Sequence, residues 1–207
     1  WQLGRKAKWT ILGIGSERDA STWKQTPFGP GHYMIDGNEI SWWEFRRQLN
    51  SNGTAAVMAG PHMVIIDLGK VENIKGIRIK SKEINTSPEY GIKKKDGTDI
   101  YGTQSYNPPH TFHIGFTTAK PNQEVIKNFA SSKTWPTGIT KETFTSDSKQ
   151  GINYYYGTGF KKWWENSLTA ATKARYLFIH FEKGWNNDGN GPAANVMKVA
   201  ELDIITE

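Results

Sequence analysis

Short runs in which apolar and polar residues alternate recur along this chain, and no segment carries a long helical period. In the run 74–82, for example, Ile77 and Ile79 fall on one side and basic residues on the other. A period of two sends successive side chains to opposite faces of a β-strand. Many such strands with little helix predict an all-β, antiparallel β-sandwich. The predicted strands are Trp9–Ile14, His62–Leu68, Ile74–Lys82, Thr111–Phe116, Arg175–Phe181 and Val199–Thr206.

The alternation also assigns a face to each side chain. Eight residues should be buried between two sheets: Ile65, Leu68, Ile77, Ile79, Leu177, Ile179, Leu202 and Ile204. His180 alternates outward with Tyr176 and Phe178, which makes it a sheet-surface residue. In the last strand, Glu201 and Asp203 point outward for the same reason.

The 207 residues carry no internal repeat, low-complexity tract or linker, so we expect one domain spanning 1–207. A hydrophobic fraction of 36% is enough for a full core. Short helices are expected at Ser41–Leu49 and Phe160–Leu168, where Trp and charged residues alternate irregularly. The absence of cysteine excludes disulfides and thiolate metal sites.

The net charge of +6 is spread thinly along the sequence. A nucleic-acid-binding protein more often gathers its charge on one element, so we expect a solvated basic face and no nucleic-acid partner. No stretch approaches the ~18 apolar residues of a membrane span. A chain that begins at Trp1, with no leading Met or signal peptide, is expected to be a processed product or part of a longer protein.

Four segments resemble one known family. Met34–Trp43, Pro61–Ile79, Ala174–Ile179 and Val199–Ile204 are similar, in this order, to blocks of the discoidin domains, also called coagulation factor V/VIII type C domains. That family belongs to the galactose-binding domain-like group and includes the carbohydrate-binding modules of family 32. The resemblance implies a jelly-roll sandwich. About 90 residues separate Lys82 from Ala174, which is more than the family needs and predicts an enlarged middle insertion.

Oxygen-bearing side chains suggest a cation site. Ca²⁺ prefers carboxylate, carbonyl and hydroxyl ligands, and Gly37 permits a sharp bend that turns Asp36 and its neighbours to one point. In the resembled family the matching positions surround a structural Ca²⁺, here Asp36, Asn38, Ser41 and Glu201. The alternative is that Asp36 caps its own turn and Glu201 is a solvated strand residue.

The segment before the last strand has the composition of a sugar-binding loop. It combines one large ring with amide and carboxylate groups: Trp185, Asn186, Asn187, Asp188 and Asn190. A ring can stack on the C–H face of a pyranose while planar polar groups bind its hydroxyls. The alternative is an ordinary turn with Trp185 in the core.

Two further segments are expected to line the same pocket. Trp42 and Trp43 are adjacent, so one should be buried and the other should be available to a ligand together with Glu44, Arg46 and Arg47. The loop 82–90, ending in Tyr90, should contribute as well.

No catalytic motif is present, and His110 and His113 should lie on opposite faces of one strand. The sequence therefore predicts a non-catalytic carbohydrate-binding module that binds a glycan or oligosaccharide. We expect it to be part of a larger exported, extracellular or cell-surface protein. The alternative is an adhesion or assembly domain whose aromatic loops bind a protein or a membrane surface.

Overall fold

The computed structural model describes residues 6–15, 17, 28–39, 41–44, 47–49, 55–57, 61–81, 109–146, 163–185, 192–193 and 197–206. Residues 28–29, 47–49, 55–57, 185 and 192–193 are described by their backbone alone. None of the helices among these residues is long and apolar enough to cross a membrane.

Twelve strands and one α-helix are described. The strands are β1 (Thr10–Ile14), β2 (Phe28–Gly29), β3 (Trp42–Glu44), β4 (Arg47–Leu49), β5 (Ala55–Val57), β6 (His62–Lys80), β7 (Pro109–Thr117), β8 (Glu142–Thr145), β9 (Trp164–Trp185), β10 (Pro192–Ala193), β11 (Lys198–Val199) and β12 (Glu201–Thr206). Helix α1 spans Gln123–Ser132, and a short 3₁₀ helix spans Gly31–Met34.

The two long strands β6 and β9 form the centre of the main sheet. Its order is β1-β6-β9-β7-β8, with β10 paired to β9 and β12 paired to β6, all antiparallel. The register of β6 against β9 shifts between Asp67 and Glu72. Gly69 lies in this shift with a φ of +77°, a conformation that favours glycine. Side chains on both sides of this shift, such as Ile66 and Ile77, contribute to the main core.

The structure confirms the predicted burial of all eight residues and the predicted inward face of seven of them. All eight residues expected to be buried are at most 1% exposed. Seven of them join the main core cluster, together with Trp43, Phe112, Trp164 and Phe181. Ile65 belongs instead to a second cluster on the other face of the sheet. The antiparallel β-sandwich predicted from the alternation is therefore confirmed.

The second cluster lies beneath α1, which sequence analysis did not predict. Phe129 of the helix packs at right angles to Phe178, with 5.0 Å between the ring centroids. Glycines permit this close approach: a β-carbon at Gly15 would lie 2.5 Å from the carbonyl oxygen of Ala130. Tyr176 and Phe178 are consequently buried, and the prediction of a solvent-facing sheet surface there was wrong.

Both predicted helices were also wrong. Residues 42–44 and 47–49 form β3 and β4, and residues 164–168 open strand β9. Trp and charged residues can share one strand because successive side chains point to opposite faces: Trp164 is buried, whereas the side chain of Glu165 is 55% exposed. Trp164 lies edge-on to Phe112 with 5.3 Å between centroids.

Candidate functional site

The loop after the 3₁₀ helix is closed by its own side chains. The Asp36 carboxylate accepts the backbone N–H of Asn38 on Oδ1 at 2.8 Å. The hydroxyl of Ser41 lies 2.6 Å from Oδ2 of Asp36 and 3.0 Å from the carbonyl oxygen of Asn38. Gly37 between them has a φ of +76°. Asp36 therefore makes the turn-capping hydrogen bond that was the alternative to metal ligation.

Glu201, at the start of β12, lies beside this loop as the sequence predicted. Its carboxylate interacts electrostatically with the carboxyl group of Asp36. Glu201 is 1% exposed, although it was expected to point outward into solvent. The face is covered because Lys6 brings its ammonium group onto Glu201 Oε2.

The electrostatics of this pair follow from burial. Removal from water raises the pKa of the Glu201 carboxyl to about 8, and the neighbouring Asp36 acts in the same direction. The Lys6 ammonium opposes the shift. The second carboxylate oxygen, Oε1, is buried and has no hydrogen-bond partner.

As arranged here, these residues do not fit a calcium ion. Calcium takes about six to eight oxygen ligands. Both oxygens of Asp36 and the hydroxyl of Ser41 are engaged within the loop, and an ammonium group occupies one oxygen of Glu201. Among the residues described, no group of three or more His, Cys, Asp or Glu is placed to hold a metal. Lys6 supplies the positive charge instead.

A second ammonium group holds the same loop. Lys80, at the end of β6, is 3% exposed and contacts the carboxylate of Glu39. Arg78 donates from Nη2 to Asp203 at 3.0 Å, which buries Asp203 on the face that was expected to be outward. These basic residues are therefore paired, and the expected solvated basic face does not exist at Arg78 and Lys80.

Trp42 and Trp43 are both buried, so neither lies in an open pocket. Trp43 stacks on Phe181 with 5.4 Å between centroids and joins the main core. Trp42 faces the other way, as adjacent strand residues must, but Ala200 covers that side. The expectation that one of the two rings is available to a ligand was wrong because β3 has neighbours on both faces.

Glu44 and Arg47 lie on strands that follow one another in the sequence but belong to separate sheets, β3 with β11 and β2, and β4 with β5. Glu44 is 2% exposed and pairs in register with Lys198 of β11. Its carboxylate also accepts from the Trp42 indole at 3.5 Å. Arg47 begins β4 and pairs with Val57 of β5. Glu44 is thus an internal residue in this structure and not part of an exposed surface.

The predicted sugar-binding loop is anchored by a strand pair. Trp185 ends β9 opposite Pro192 of β10, and Gly184 lies opposite Ala193. Trp43 stacks on Phe181, four positions before Trp185 on the same strand, so β3 packs near the end of β9. The remaining predicted ligand-binding residues, Arg46, Tyr90, Asn186, Asn187, Asp188 and Asn190, lie outside the described residues.

A histidine pair lies on the outer face of the sheet. The rings of His113 and His180 meet edge-on with 5.0 Å between centroids, and His113 Nε2 is 2.8 Å from Glu182. Burial, with the nearby charges of His113 and Lys141, lowers the pKa of His180 to about 4. His180 is therefore half-buried beside α1 and is not the solvated residue that the alternation suggested.

Solved structures resemble this chain along nearly its whole length. The C-terminal domain of a chitobiase from Bacteroides fragilis superposes with a TM-score of 0.55 at 17% identity, over 98% of this chain and 96% of that one. CBM32-3 from a family 31 glycoside hydrolase of Clostridium perfringens gives 0.56 at 14% identity, over 98% and 94%. CBM32-5 of CpGH89 from the same organism, solved with GalNAc-β-1,3-galactose, gives 0.55 at 13%, over 98% of both chains.

These superpositions define the class of fold. The chain has the galactose-binding-like β-sandwich of the family 32 carbohydrate-binding modules, as the four sequence segments implied. No protein-family model and no curated protein matches the sequence.

Proposed function

We propose that this chain is a non-catalytic carbohydrate-binding domain. The observation that carries the proposal is the full-length likeness to CBM32-5, which covers 98% of both chains and was solved with a bound disaccharide. A shared fold alone permits many ligands. The composition of the loop after β9 is what favours a sugar among them.

The proposed binding surface is the loop from Trp185 to Asn190. Its first residue ends β9, and the Trp185–Pro192 pairing fixes the separation of its two ends. An indole ring and the amide and carboxylate groups of residues 186–190 match the two needs of sugar recognition, stacking and directional hydrogen bonds.

In this proposal Trp43 supports the site from beneath. Its ring stacks on Phe181 and lies edge-on to His62, with 5.4 and 6.0 Å between centroids. Phe181 precedes Trp185 by four positions on β9, so this aromatic packing stiffens the strand from which the loop departs. Glu44 is buried in β3, so in this proposal it stabilises that strand and does not contact the sugar.

We further propose that the domain is one part of a larger exported protein that acts on glycans. CBM32-3 is likewise a module of a glycoside hydrolase. Binding by one such domain is expected to be weak, because a sugar buries little area and exchanges hydrogen bonds with water for hydrogen bonds with protein.

The adhesion alternative makes a different demand on the surface. It requires exposed aromatic or apolar side chains. Among the residues described, Val71 is the exposed large hydrophobic side chain, at 50% exposure, while Trp42, Trp43 and Trp164 are buried.

Calorimetric titration with galactose- and GalNAc-terminated oligosaccharides tests the proposal, with Trp185→Ala as the site variant. The proposal is supported if the wild type releases or absorbs heat on binding a sugar and Trp185→Ala does not. Binding to anionic liposomes, with no response to any sugar, would support the adhesion alternative instead.

A further inference from the structure

Lys6 is a buried cation that the glycan-binding proposal does not use. Its side chain is 1% exposed, and so is that of its partner Glu201. A lysine ammonium this deep in a protein is costly unless it is paired and surrounded by favourable groups. Two rings provide part of that environment: the ammonium lies 5.6 Å from the Trp9 ring centroid and 5.8 Å from that of Trp163.

The Lys6 ammonium lies where three segments of the chain come close together. It contacts the carboxylate of Glu201, which interacts in turn with the carboxyl of Asp36. The contact spans 195 positions of sequence and joins the start of the described chain to its last strand. Asp36 meanwhile closes its own loop. The Lys6–Glu201 pair therefore joins the first described segment to β12 beside the Asp36 loop. A structural metal ion stabilises a fold in the same way, by holding distant segments together.

The groups beside the Lys6–Glu201 pair include the types of oxygen that a divalent cation binds, although those of the Asp36 loop are hydrogen-bonded to one another as long as the ammonium is present. The Ser41 hydroxyl lies 2.6 Å from Asp36 Oδ2 and 3.0 Å from the carbonyl oxygen of Asn38. The Asp36 carboxyl in turn interacts electrostatically with that of Glu201. Glu201 Oε1 is buried and has no hydrogen-bond partner among the residues described, so this acceptor is available to a bound cation. Carboxylate, hydroxyl and carbonyl oxygens are the ligands that Ca²⁺ prefers.

We propose that Lys6 is a built-in cation of this domain: its ammonium group, held on Glu201 beside the Asp36 loop, takes the place of a metal ion, and its removal creates a divalent-cation site. The wild-type fold consequently needs no calcium. A variant without the ammonium keeps the buried Glu201 carboxyl beside the half-buried carboxylate of Asp36, and a bound Ca²⁺ supplies the positive charge that Lys6 no longer provides.

Thermal unfolding of three proteins tests this, each in excess chelator and in millimolar CaCl₂. The wild type should melt at the same temperature in both buffers. Lys6→Met, which keeps the length and apolar stem of the side chain, should melt lower in chelator and recover by several degrees in CaCl₂. Lys8→Met is the matched control, because Lys8 is exposed and two positions away, and it should behave as the wild type.

Calorimetry with CaCl₂ alone then locates the new site. Lys6→Met should bind the ion, while the wild type and the double variant Lys6→Met/Glu201→Gln should not. A calcium-dependent shift in the wild-type melting temperature overturns the proposal, and so does a folded Lys6→Met with no calcium response. If Lys6→Met does not fold in chelator, circular dichroism on addition of CaCl₂ decides: recovery of the β-sheet spectrum supports the proposal, and continued unfolding contradicts it.

Discussion

Arg175 donates two hydrogen bonds to the carboxylate of Asp67, from Nε to Oδ1 at 2.8 Å and from Nη2 to Oδ2 at 3.0 Å. Oδ1 of Asp67 also accepts the backbone N–H of Gly69 at 2.7 Å. The two residues come from two of the sequence segments that resemble the discoidin family. Their contact closes the corner where the register of β6 and β9 shifts.

This contact predicts a specific acid response. The hydrogen bond from Arg175 lowers the pKa of Asp67 below its ordinary value of 3.8. A carboxyl whose pKa is depressed by folding contributes stability above its unfolded pKa and loses it as the pH falls through the folded value. Arg175→Ala should therefore lower the free energy of unfolding at pH 7, and the difference from wild type should shrink below about pH 4.

Chemical denaturation across this pH range measures the effect. Lys173→Ala, an exposed residue on the same strand, is the control and should match the wild type at every pH. A deficit in Arg175→Ala that stays constant down to pH 2 would assign the loss to packing and not to the charge on Asp67.

The core makes a prediction of magnitude. Ile179 is fully buried between the sheets, so Ile179→Ala should cost about 2–5 kcal/mol of unfolding free energy. Val71→Ala, at a position that is 50% exposed, should stay within about 0.5 kcal/mol of wild type. Urea unfolding gives both values. Equal costs for the two variants would contradict the assigned strand faces.

Helix α1 should be a structural part of the domain. Phe129 is fully buried against Phe178, so Phe129→Ala should cost about 3–5 kcal/mol. Asn122 caps the helix by accepting the N–H of Val125 at 2.8 Å, and Asn122→Ala should cost about 1 kcal/mol. Lys127→Ala, on the exposed side of the same helix, should be neutral. If Phe129→Ala is as stable as Lys127→Ala, the helix does not pack on the sheet.

Two histidines should stay neutral well into the acid range. Burial lowers the pKa of His62 to about 4, with the charges of Lys133 and His180 adding to the shift, and burial also lowers that of His180 to about 4. Because the unfolded chain takes up these protons first, near pH 6.5, the stability they contribute is complete above that pH and is lost as the pH falls toward 4.

Histidine NMR titration tests this directly, with His62→Gln and His180→Gln used to assign the signals. Midpoints near 4 are expected for both residues. A midpoint near 6.5 for His180 would contradict its burial beside His113.

The sequence predicted the inner face of the sandwich well, because a period of two fixes which side chains share a face. It could not tell whether the opposite face is covered. Phe178 and His180 alternate outward, yet Phe178 is covered by Phe129 of α1, a helix more than 40 positions earlier in the chain, and the ring of His180 lies against that of His113. The helix itself had a signal that was missed: the cap at Asn122 and apolar residues at Val125, Ile126 and Phe129.

The candidate site divides in the same way. The meeting of Asp36 with Glu201 was predicted from the family resemblance, and the structure brings them together. Lys6 was not predicted, since nothing local in the sequence marks an ion pair across 195 positions. Trp43 was expected to be accessible to a ligand but is buried against Phe181. Alternation predicts the face to which a ring points, but it does not predict whether another element covers that face.

The most direct test of the proposed function is calorimetric titration of the wild type and two tryptophan variants with GalNAc-β-1,3-galactose and with galactose. Trp185→Ala removes the ring at the predicted loop. Trp135→Ala removes a partly buried ring that packs on Phe129, with 5.6 Å between centroids, on the outer face of the sheet. Folding of both is checked by circular dichroism. Saturable heat with wild type and Trp135→Ala, and none with folded Trp185→Ala, is the result expected of a glycan-binding module. Equal binding by all three would contradict the assigned loop, and the absence of any response across a full glycan array would contradict the proposed function.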